Sequence, residues 1–293
     1  MTVPIPAGLS AASDNAALLQ AAMDDGGFGL PAGTFPVSRA LVPPAGCTIE
    51  GAGAYRSVLR VTAPGQPAIA MTDCSHFTMR GLGLTGPGLA PGSAPGLLIA
   101  RSQAQNTFGL LLDDVVIQHF GGDGISAAGA NVIVSAFRRV TCENVTGSGF
   151  LLTGVSGAAA GTSTSLTACF AVACGESAYR LQKMNYCAFS ACAADACGTG
   201  YVLEECQGIS LAACGTESIA ATGATMYTDG TSFRADRCDG VDFGTACWTY
   251  RNTGLVLRVS GASRNIRGRI AENAPAASAV AAVLVDSGSE YGG

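Results

Sequence analysis

Leu166-Thr167-Ala168-Cys169-Phe170-Ala171-Val172-Ala173-Cys174 contains two apolar positions three residues apart, with a second cysteine five residues after the first. This arrangement decides the fold because it is repeated along the chain. The other copies of the three-residue step are Leu112-x-x-Val115, Phe137-x-x-Val140, Phe189-x-x-Cys192 and Leu211-x-x-Cys214. Successive copies lie 22 to 29 residues apart (211−189 and 166−137). A period of this length is typical of a solenoid, in which each repeat buries its apolar side chains against its neighbours.

The repeated unit is built from strands. Runs such as Gly149-Phe150-Leu151-Leu152 and Gly200-Tyr201-Val202-Leu203 have strand-like apolar spacing, and no helix-length pattern follows residue 30. The pattern therefore predicts an all-β chain, a single-stranded right-handed parallel β-helix with a short N-terminal capping helix and parallel strands about 4.8 Å apart. A leucine-rich repeat is the less favoured alternative, because its Asn- or Cys-bearing leucine consensus is missing.

Composition limits the function. The net charge is −5 and only 13% of residues are charged, so no basic patch is available for a nucleic acid backbone. The apolar runs, such as residues 109–116, are too short to cross a bilayer. The start Met1-Thr2-Val3-Pro4 lacks the features of a signal peptide. We expect a chain made in the cytoplasm without a signal peptide, with no membrane insertion and no nucleic acid partner.

The twelve cysteines are interpreted as interior thiols. Cys169, Cys192 and Cys214 occupy a repeat position that valine fills in earlier coils, which favours a small, buried, apolar side chain. The five-residue steps from Cys187 to Cys192 and on to Cys197 do not match the closer spacing of zinc knuckles. Disulfide or metal chemistry remains the alternative. We predict no metal site and no cofactor.

The first 30 residues differ from the repeats. Asp14 is a good helix N-cap, the segment from Asn15 to Asp24 has an apolar face, and Gly26-Gly27 ends it. A helix here would cover the open first coil. The expected organisation is a cap and attachment segment at residues 1–30 and a parallel β-helix at residues 31–293.

Three N-terminal segments carry a resemblance to a known family. They are the helix residues Asp14, Ala17, Leu18 and Ala21, the strand from Leu30 to Phe35, and the turn residues Ile49, Gly51 and Gly53. Their order resembles the pectate-lyase-like β-helix superfamily, as found in bacteriophage tailspikes. The resemblance implies a spike or fibre of a phage or phage-like particle. It also implies contact with bacterial surface polysaccharide, a homotrimer, and attachment to other particle proteins through the N-terminal segment.

A carboxylate pair, Asp113-Asp114, is the candidate catalytic site, because polysaccharide hydrolysis needs an acid and a base or nucleophile. The repeat alignment places Arg80-Gly81 one coil earlier and Arg138-Arg139 one coil later. The favoured interpretation is therefore a ladder of ions, with catalysis as the alternative. The Gly-His-Gly signature of polygalacturonases is missing.

Two further acidic positions have plain interpretations. Asp123 stands among glycines in Gly121-Gly122-Asp123-Gly124, which favours a turn over a site. The alignment places Lys183 beside Glu205 as a surface ion pair of little energetic value.

The candidate glycan-binding residues lie in one segment near the C-terminus. Aromatic rings stack on the apolar faces of sugars, and Asp and Arg bond to sugar hydroxyls or acidic groups. The residues are Tyr227, Asp229, Arg234, Asp236, Asp239, Trp248, Tyr250 and Arg251. The alternative is a contact between subunits, where Trp, Tyr and Arg are also enriched.

Three functions remain open. The favoured one is a receptor-binding spike that holds capsule or lipopolysaccharide at the surface of a phage or phage-like particle. The alternatives are a polysaccharide depolymerase, either hydrolase or lyase, and a structural adaptor of the particle. We also expect the last coil to be covered by a partner subunit or by the tail from Ala276 to Gly293, since an open coil exposes unpaired backbone groups.

Overall fold

The computed structural model describes residues 3–90, 94–102, 106–155, 161–273 and 283–292. Within these ranges the chain has one helix, α1 (Ala16–Asp24), and 29 strands. The first ten strands are β1 (Gly27–Leu30), β2 (Gly33–Val37), β3 (Thr48–Gly51), β4 (Ser57–Val61), β5 (Ile69–Thr72), β6 (Thr78–Thr85), β7 (Leu97–Ala100), β8 (Thr107–Phe108), β9 (Leu111–Gln118) and β10 (Ile125–Ala127). The next ten are β11 (Val132–Ile133), β12 (Ala136–Val145), β13 (Phe150–Thr153), β14 (Gly161–Thr162), β15 (Ser165–Thr167), β16 (Phe170–Cys174), β17 (Ser177–Gln182), β18 (Met184–Asn185), β19 (Ala188–Ser190) and β20 (Ala193–Asp195). The last nine are β21 (Thr199–Glu204), β22 (Gln207–Ala212), β23 (Gly215–Glu217), β24 (Phe233–Asp236), β25 (Asp239–Tyr250), β26 (Leu257–Ser260), β27 (Arg264–Asn273), β28 (Val283–Val285) and β29 (Tyr291–Gly292).

The strands stack in parallel, coil on coil, so the predicted parallel β-helix is confirmed. Nine strands form one sheet in the order β5-β7-β10-β13-β17-β21-β24-β26-β28, which we call face one. Face two contains the ladder of β15, β19 and the first half of β12. Face three contains the ladder of β16, β20 and β23. The second half of β12 pairs with β16, and the second half of β25 pairs with β23.

The corner between faces two and three is made by residues in the left-handed conformation. The corner residues of successive coils are Asp114, Arg139, Ala168, Ala191 and Ala213, with φ between 49° and 56°. L-residues enter this region at a cost of roughly 1 to 2 kcal/mol, which only Gly avoids and which Asp or Asn can reduce. One such residue per coil turns the chain while the strands on both sides stay in register, as at Arg139 inside β12.

The coil interior is filled by columns of like side chains. One column runs through Val140, Cys169, Cys192, Cys214 and Cys247, all of them buried. All twelve cysteines are buried and free. The prediction that Cys169, Cys192 and Cys214 point into the interior is confirmed.

A second column is aromatic and lies behind face one. The rings of Phe150, Tyr179, Tyr201 and Phe233 stack with centroid distances of 4.9, 4.7 and 5.0 Å. Stacked aromatic pairs of this kind contribute beyond the area they bury. The Tyr179 hydroxyl lies 2.8 Å from the carbonyl oxygen of Cys169, so its polar end is satisfied inside the core.

The N-terminal helix covers the first coil, but its cap differs from the prediction. Asn15, not Asp14, is the N-cap residue, and α1 buries Leu19 and Met23. The Asp14 carboxylate instead accepts hydrogen bonds from Ala16 N at 3.1 Å and Ser38 N at 2.9 Å. Asp14 is therefore used to hold the helix start to the strand end near Ser38. The strand ladder itself begins at Gly27, inside the predicted cap segment, because β1 pairs with β3.

The C-terminal end of the solenoid is formed by short strands. Residues 276–282 and 293 of the predicted covering tail lie outside the described residues. The remainder continues both ladders, since β28 pairs with β26 and β29 with β27. Val283, Leu284 and Val285 are 39 to 40% exposed. The described part of the tail thus adds a coil to the end of the helix.

Candidate functional site

The predicted glycan-binding residues are distributed over three places on the solenoid. Tyr227, Asp229, Arg234 and Asp236 lie at face one, Asp239 lies at the corner before face two, and Trp248 and Tyr250 lie on face three. β24 and β25 are consecutive in sequence but belong to different faces, because the chain turns between Asp236 and Asp239. The single cluster seen in the sequence is therefore not a single site.

At face one, Tyr227 takes part in a network that closes a loop over the sheet. The Arg180 guanidinium donates to the Tyr227 hydroxyl at 2.6 Å, and this hydroxyl donates to a Glu204 carboxylate oxygen at 3.1 Å. Arg180 also pairs with Glu204 at 3.2 Å. Glu204 is only 3% exposed, and Val202 beside it is fully buried. All three polar groups are engaged with one another, so this part of the predicted site stabilises the loop before β24.

The other face-one residues are also paired. Arg234 binds Asp229 at 2.8 Å, and Arg234 is 8% exposed. Asp236 is paired with Arg237 and accepts a hydrogen bond from the Ser260 hydroxyl at 2.7 Å. Side chains buried in ion pairs have few groups left to offer a sugar.

The corner before face two carries a polar groove of about 510 Å³. Its charged residues are paired: Arg264 with Asp239 at 3.5 Å, and Arg237 with Glu205 at 3.3 Å. Lys183 lies 4.0 Å from Glu205, as the repeat alignment predicted. Because each cation already has a carboxylate partner, this groove offers hydrogen bonds with little net charge.

Face three carries a smaller groove that contains the only tryptophan of the chain. We call it the Trp248 groove; its volume is about 210 Å³. Its defining residues are Phe170, Ala193, Asp195, Gly215, Glu217, Trp248 and Tyr250. Trp248 follows the inward-pointing Cys247, so strand alternation directs the indole outward, and it is 47% exposed.

The floor of the Trp248 groove is made of small residues between two aromatic rings. Phe170, Ala193, Gly215 and Trp248 are successive register partners on four neighbouring strands. With strands about 4.8 Å apart, the two aromatic positions are separated by about 14 Å. Phe170 is 36% exposed, so both ends of this floor present apolar rings to solvent.

One side of the Trp248 groove carries two carboxylates that are not among the predicted site residues. Asp195 and Glu217 are register partners on β20 and β23, and Tyr250 is the next partner after Glu217. Neither acid has an ion-pair partner within 4.0 Å among the described residues. The signal was present in the repeat, because each acid lies three residues after an inward cysteine, Cys192 or Cys214.

Arg251 lies beside this groove and not among the residues that line it. Its guanidinium carbon is 4.8 Å from the centroid of the Tyr250 ring. This cation–π contact holds the arginine against the aromatic ring at the corner that follows β25.

The Asp113-Asp114 pair lies in an ion ladder. Asp113 binds Arg139 at 2.6 Å and is in register with Arg80 and Arg138, and Arg80 pairs with Glu50 at 3.5 Å. Asp114 is a left-handed corner residue. Arg139 on the next coil thus pairs with Asp113, while Arg80 on the previous coil pairs with Glu50. The catalytic prediction for Asp113 and Asp114 stays a prediction.

Asp123 performs a structural role in its turn. Its carboxylate accepts a hydrogen bond from Ser148 N on the next coil at 2.8 Å. Burial of Asp123 raises the pKa of its carboxyl above the usual 3.8, and the bond from Ser148 N opposes this shift. The group therefore links two coils.

Sequence comparisons leave the chain without a family. No protein-family model matches it, and no curated protein matches it. No helix within the described ranges has the length and apolar character needed to cross a membrane.

Comparison of structures gives clear matches. The A-module of the mannuronan C-5 epimerase AlgE6 from Azotobacter vinelandii superposes with a TM-score of 0.74 at 17% identity, over 95% of this chain and 78% of that chain. The gp42 tailspike of Acinetobacter phage vb_AbaP_AS12 gives 0.64 at 14% identity, over 97% and 61%. The full-length tailspike protein 2 of an Escherichia coli O157:H7 bacteriophage gives 0.65 at 14%, over 93% and 38%.

These matches define the class of the chain by fold: it is a parallel β-helix of the kind found in phage tailspikes and epimerase modules. The chain spans less than two thirds of each of the two tailspikes. At identities of 14 to 17%, the likeness concerns the fold, and one fold hosts many functions. The residues of the Trp248 groove are therefore the evidence that bears on function.

Proposed function

We propose that this chain is a spike or fibre protein of a phage or phage-like particle that binds bacterial surface polysaccharide through the Trp248 groove. The observation that supports the proposal is an exposed tryptophan in a groove with a floor of Ala193 and Gly215, bordered by two carboxylates that have no ion-pair partner among the described residues. The structural matches to phage tailspikes support a place at the surface of a particle.

The physical argument concerns the flat rings. The apolar surface of an exposed indole is unfavourable in water, and a pyranose ring can remove it from water by covering it with its apolar C–H face. Small residues on the floor let the sugar approach the backbone, while Asp195 and Glu217 accept hydrogen bonds from its hydroxyls. A site of this composition, apolar with a few polar groups, is typical of ligand sites.

The test compares Trp248→Ala with Tyr186→Ala. Both residues are exposed aromatic side chains, and Tyr186 is 69% exposed at a different corner. Trp248→Ala should weaken binding to host capsular polysaccharide or lipopolysaccharide at least tenfold, equivalent to about 1.4 kcal/mol, with a change in unfolding free energy of about 1 kcal/mol or less. Tyr186→Ala should bind as the wild type does. Equal binding by wild type and Trp248→Ala would overturn the proposal.

Cleavage of the polysaccharide is the second candidate function. Asp195 and Glu217 have no ion-pair partner among the described residues, and they are register partners on adjacent strands, whose backbones lie about 4.8 Å apart. Retaining glycosidases hold two carboxyl groups about 5 to 5.5 Å apart. A depolymerase would shorten host polysaccharide on a sizing column, and Asp195→Asn or Glu217→Gln would abolish this. If Asp113→Asn or Asp114→Asn abolished it instead, the catalytic pair would be the one suggested by the sequence.

We propose a parallel homotrimer, with the N-terminal segment joined to other particle proteins. If Trp248 lay in a contact between subunits, as in a structural adaptor, Trp248→Ala would dissociate the oligomer. Light scattering would then give a lower molar mass for the variant, while glycan binding would be unchanged. A stable monomer of wild-type protein would contradict the trimer.

A further inference from the structure

We infer that the Trp248 groove selects glycan segments without negative charge, and disfavours polymers of uronic or sialic acids. This inference rests on the proposed function of the groove. It is carried by the charge of the lining residues, which differs from that of the corner groove described above.

The described residues that line the Trp248 groove include Asp195 and Glu217 and no lysine, arginine or histidine. In the corner groove, by contrast, Lys183, Arg237 and Arg264 balance the carboxylates. No lining residue therefore neutralises the two acids of the Trp248 groove. Arg251, the neighbouring cation, lies outside the lining and contacts the Tyr250 ring.

The chemistry of the two acids decides which sugars fit. An ionised carboxylate accepts hydrogen bonds and donates none, so it matches sugar hydroxyls and the ammonium group of amino sugars. A sugar carboxylate placed beside Asp195 or Glu217 would find no cationic donor among the lining residues and would be repelled by the two acids. At about 4 Å in water, each such pair weakens binding by roughly fivefold, which makes two pairs worth roughly 25-fold.

A floor of small residues strengthens this selection. Ala193 and Gly215 are only partly exposed and offer no side-chain donor, so a negative group cannot be neutralised from below. Apolar contact with Phe170 and Trp248 is the same for a neutral sugar and for its uronic acid. Charge is therefore the feature on which the two classes differ.

The experiment uses a glycan array. It carries one matched pair of probes, β-1,4-linked mannose hexamers and β-1,4-linked mannuronate hexamers, which differ only at C6. It also carries neutral, amino-sugar and acidic bacterial polysaccharides. The proteins are wild type, Trp248→Ala and the double variant Asp195→Asn/Glu217→Gln. Melting curves establish that each variant is folded. Because both acids are at the surface and no described residue forms an ion pair with them, the double variant should melt within a few degrees of wild type.

The expected result is Trp248-dependent binding of wild type to uncharged or amino-sugar glycans, and a gain of at least about fivefold on acidic glycans in the double variant. Wild-type binding to acidic glycans that needs Trp248 and is unchanged in the double variant would overturn the selectivity and leave the proposed function standing. Absence of Trp248-dependent binding across the whole array would overturn the proposed function, and the selectivity with it.

Discussion

Trp248 lies opposite Gly215 on the neighbouring strand, and its indole leans over this glycine. A Cβ placed on Gly215 would lie 3.4 Å from the indole Nε1, at the edge of ordinary van der Waals contact. The open space beside the ring therefore depends on the absence of a side chain one coil away. The φ angle of Gly215 is not positive, so residues with side chains can adopt its backbone conformation.

Gly215→Leu should fill the Trp248 groove from its floor. We expect at least a tenfold loss of glycan binding with a change in unfolding free energy of about 1 kcal/mol or less, since the site is on the surface of a strand. Calorimetric titration and urea unfolding measure the two quantities. Gly215→Ala is the matched control, because a methyl group just reaches the indole. A similar loss of binding with alanine would show that filling the groove is not the cause.

Cys192 should tolerate valine and reject aspartate. The hydrogen bond with Cys169, together with burial, raises the pKa of the Cys192 thiol to about 12, so the thiol is neutral at pH 7. Cys192→Asp places an unpaired carboxylate in the core and should cost several kcal/mol in urea unfolding. Cys192→Val should cost about 1.5 kcal/mol or less, because valine fills the same position at Val140. Rapid labelling of Cys169, Cys192 and Cys214 by a thiol reagent in the folded protein would contradict the buried column.

The aromatic column should contribute stability through packing more than through its hydroxyl groups. Tyr201→Phe removes a hydroxyl that lies 2.8 Å from the carbonyl oxygen of Cys192, which should cost about 1 kcal/mol. Tyr201→Ala also removes the stacked ring and should cost about 3 to 5 kcal/mol in urea unfolding. Equal costs for the two variants would show that ring stacking adds little.

Asp123 should make stability depend on pH. Since its pKa is raised in the folded chain, the folded state binds a proton more strongly than the unfolded state. The stability that this group contributes is present below its unfolded pKa of about 3.8 and declines as the pH rises from there towards the folded value. Asp123→Asn keeps an acceptor for Ser148 N without the buried charge. It should melt higher than wild type at pH 7 and lose this advantage at pH 3; a lower melting temperature at pH 7 would contradict the assignment.

Asp113→Asn should have little effect on either stability or glycan binding. The pair with Arg139 is half exposed, and such pairs contribute about 0 to 1 kcal/mol. Asp114→Asn, which changes a left-handed corner residue to one that also favours this conformation, is the companion variant. A large loss of polysaccharide binding or cleavage in either variant would show that the functional site includes Asp113 or Asp114.

Much of the architecture followed from the sequence because a solenoid stacks like on like. Once Leu166-x-x-Cys169 was aligned with its copies, the interior columns, the strand direction and the burial of the cysteines followed from strand alternation. The ion ladder at Asp113 and the pair of Lys183 with Glu205 were found in the same way, since residues at one repeat position lie on neighbouring strands.

What the sequence could not determine was which face each residue of the last repeats occupies. The loop between β23 and β24 breaks the period, so Tyr227 to Arg251 looked continuous in sequence while the chain turned from face one to face three. The pairing of Tyr227 with Glu204 and Arg180, and of Arg234 with Asp229, depends on that loop folding back over face one. The Trp248 groove depends on register across four strands, which brings together residues 78 positions apart in the chain (248−170). Local sequence determines which residues turn inward, because alternation is a local property, whereas the Trp248 groove arises only when the register between coils brings distant residues side by side.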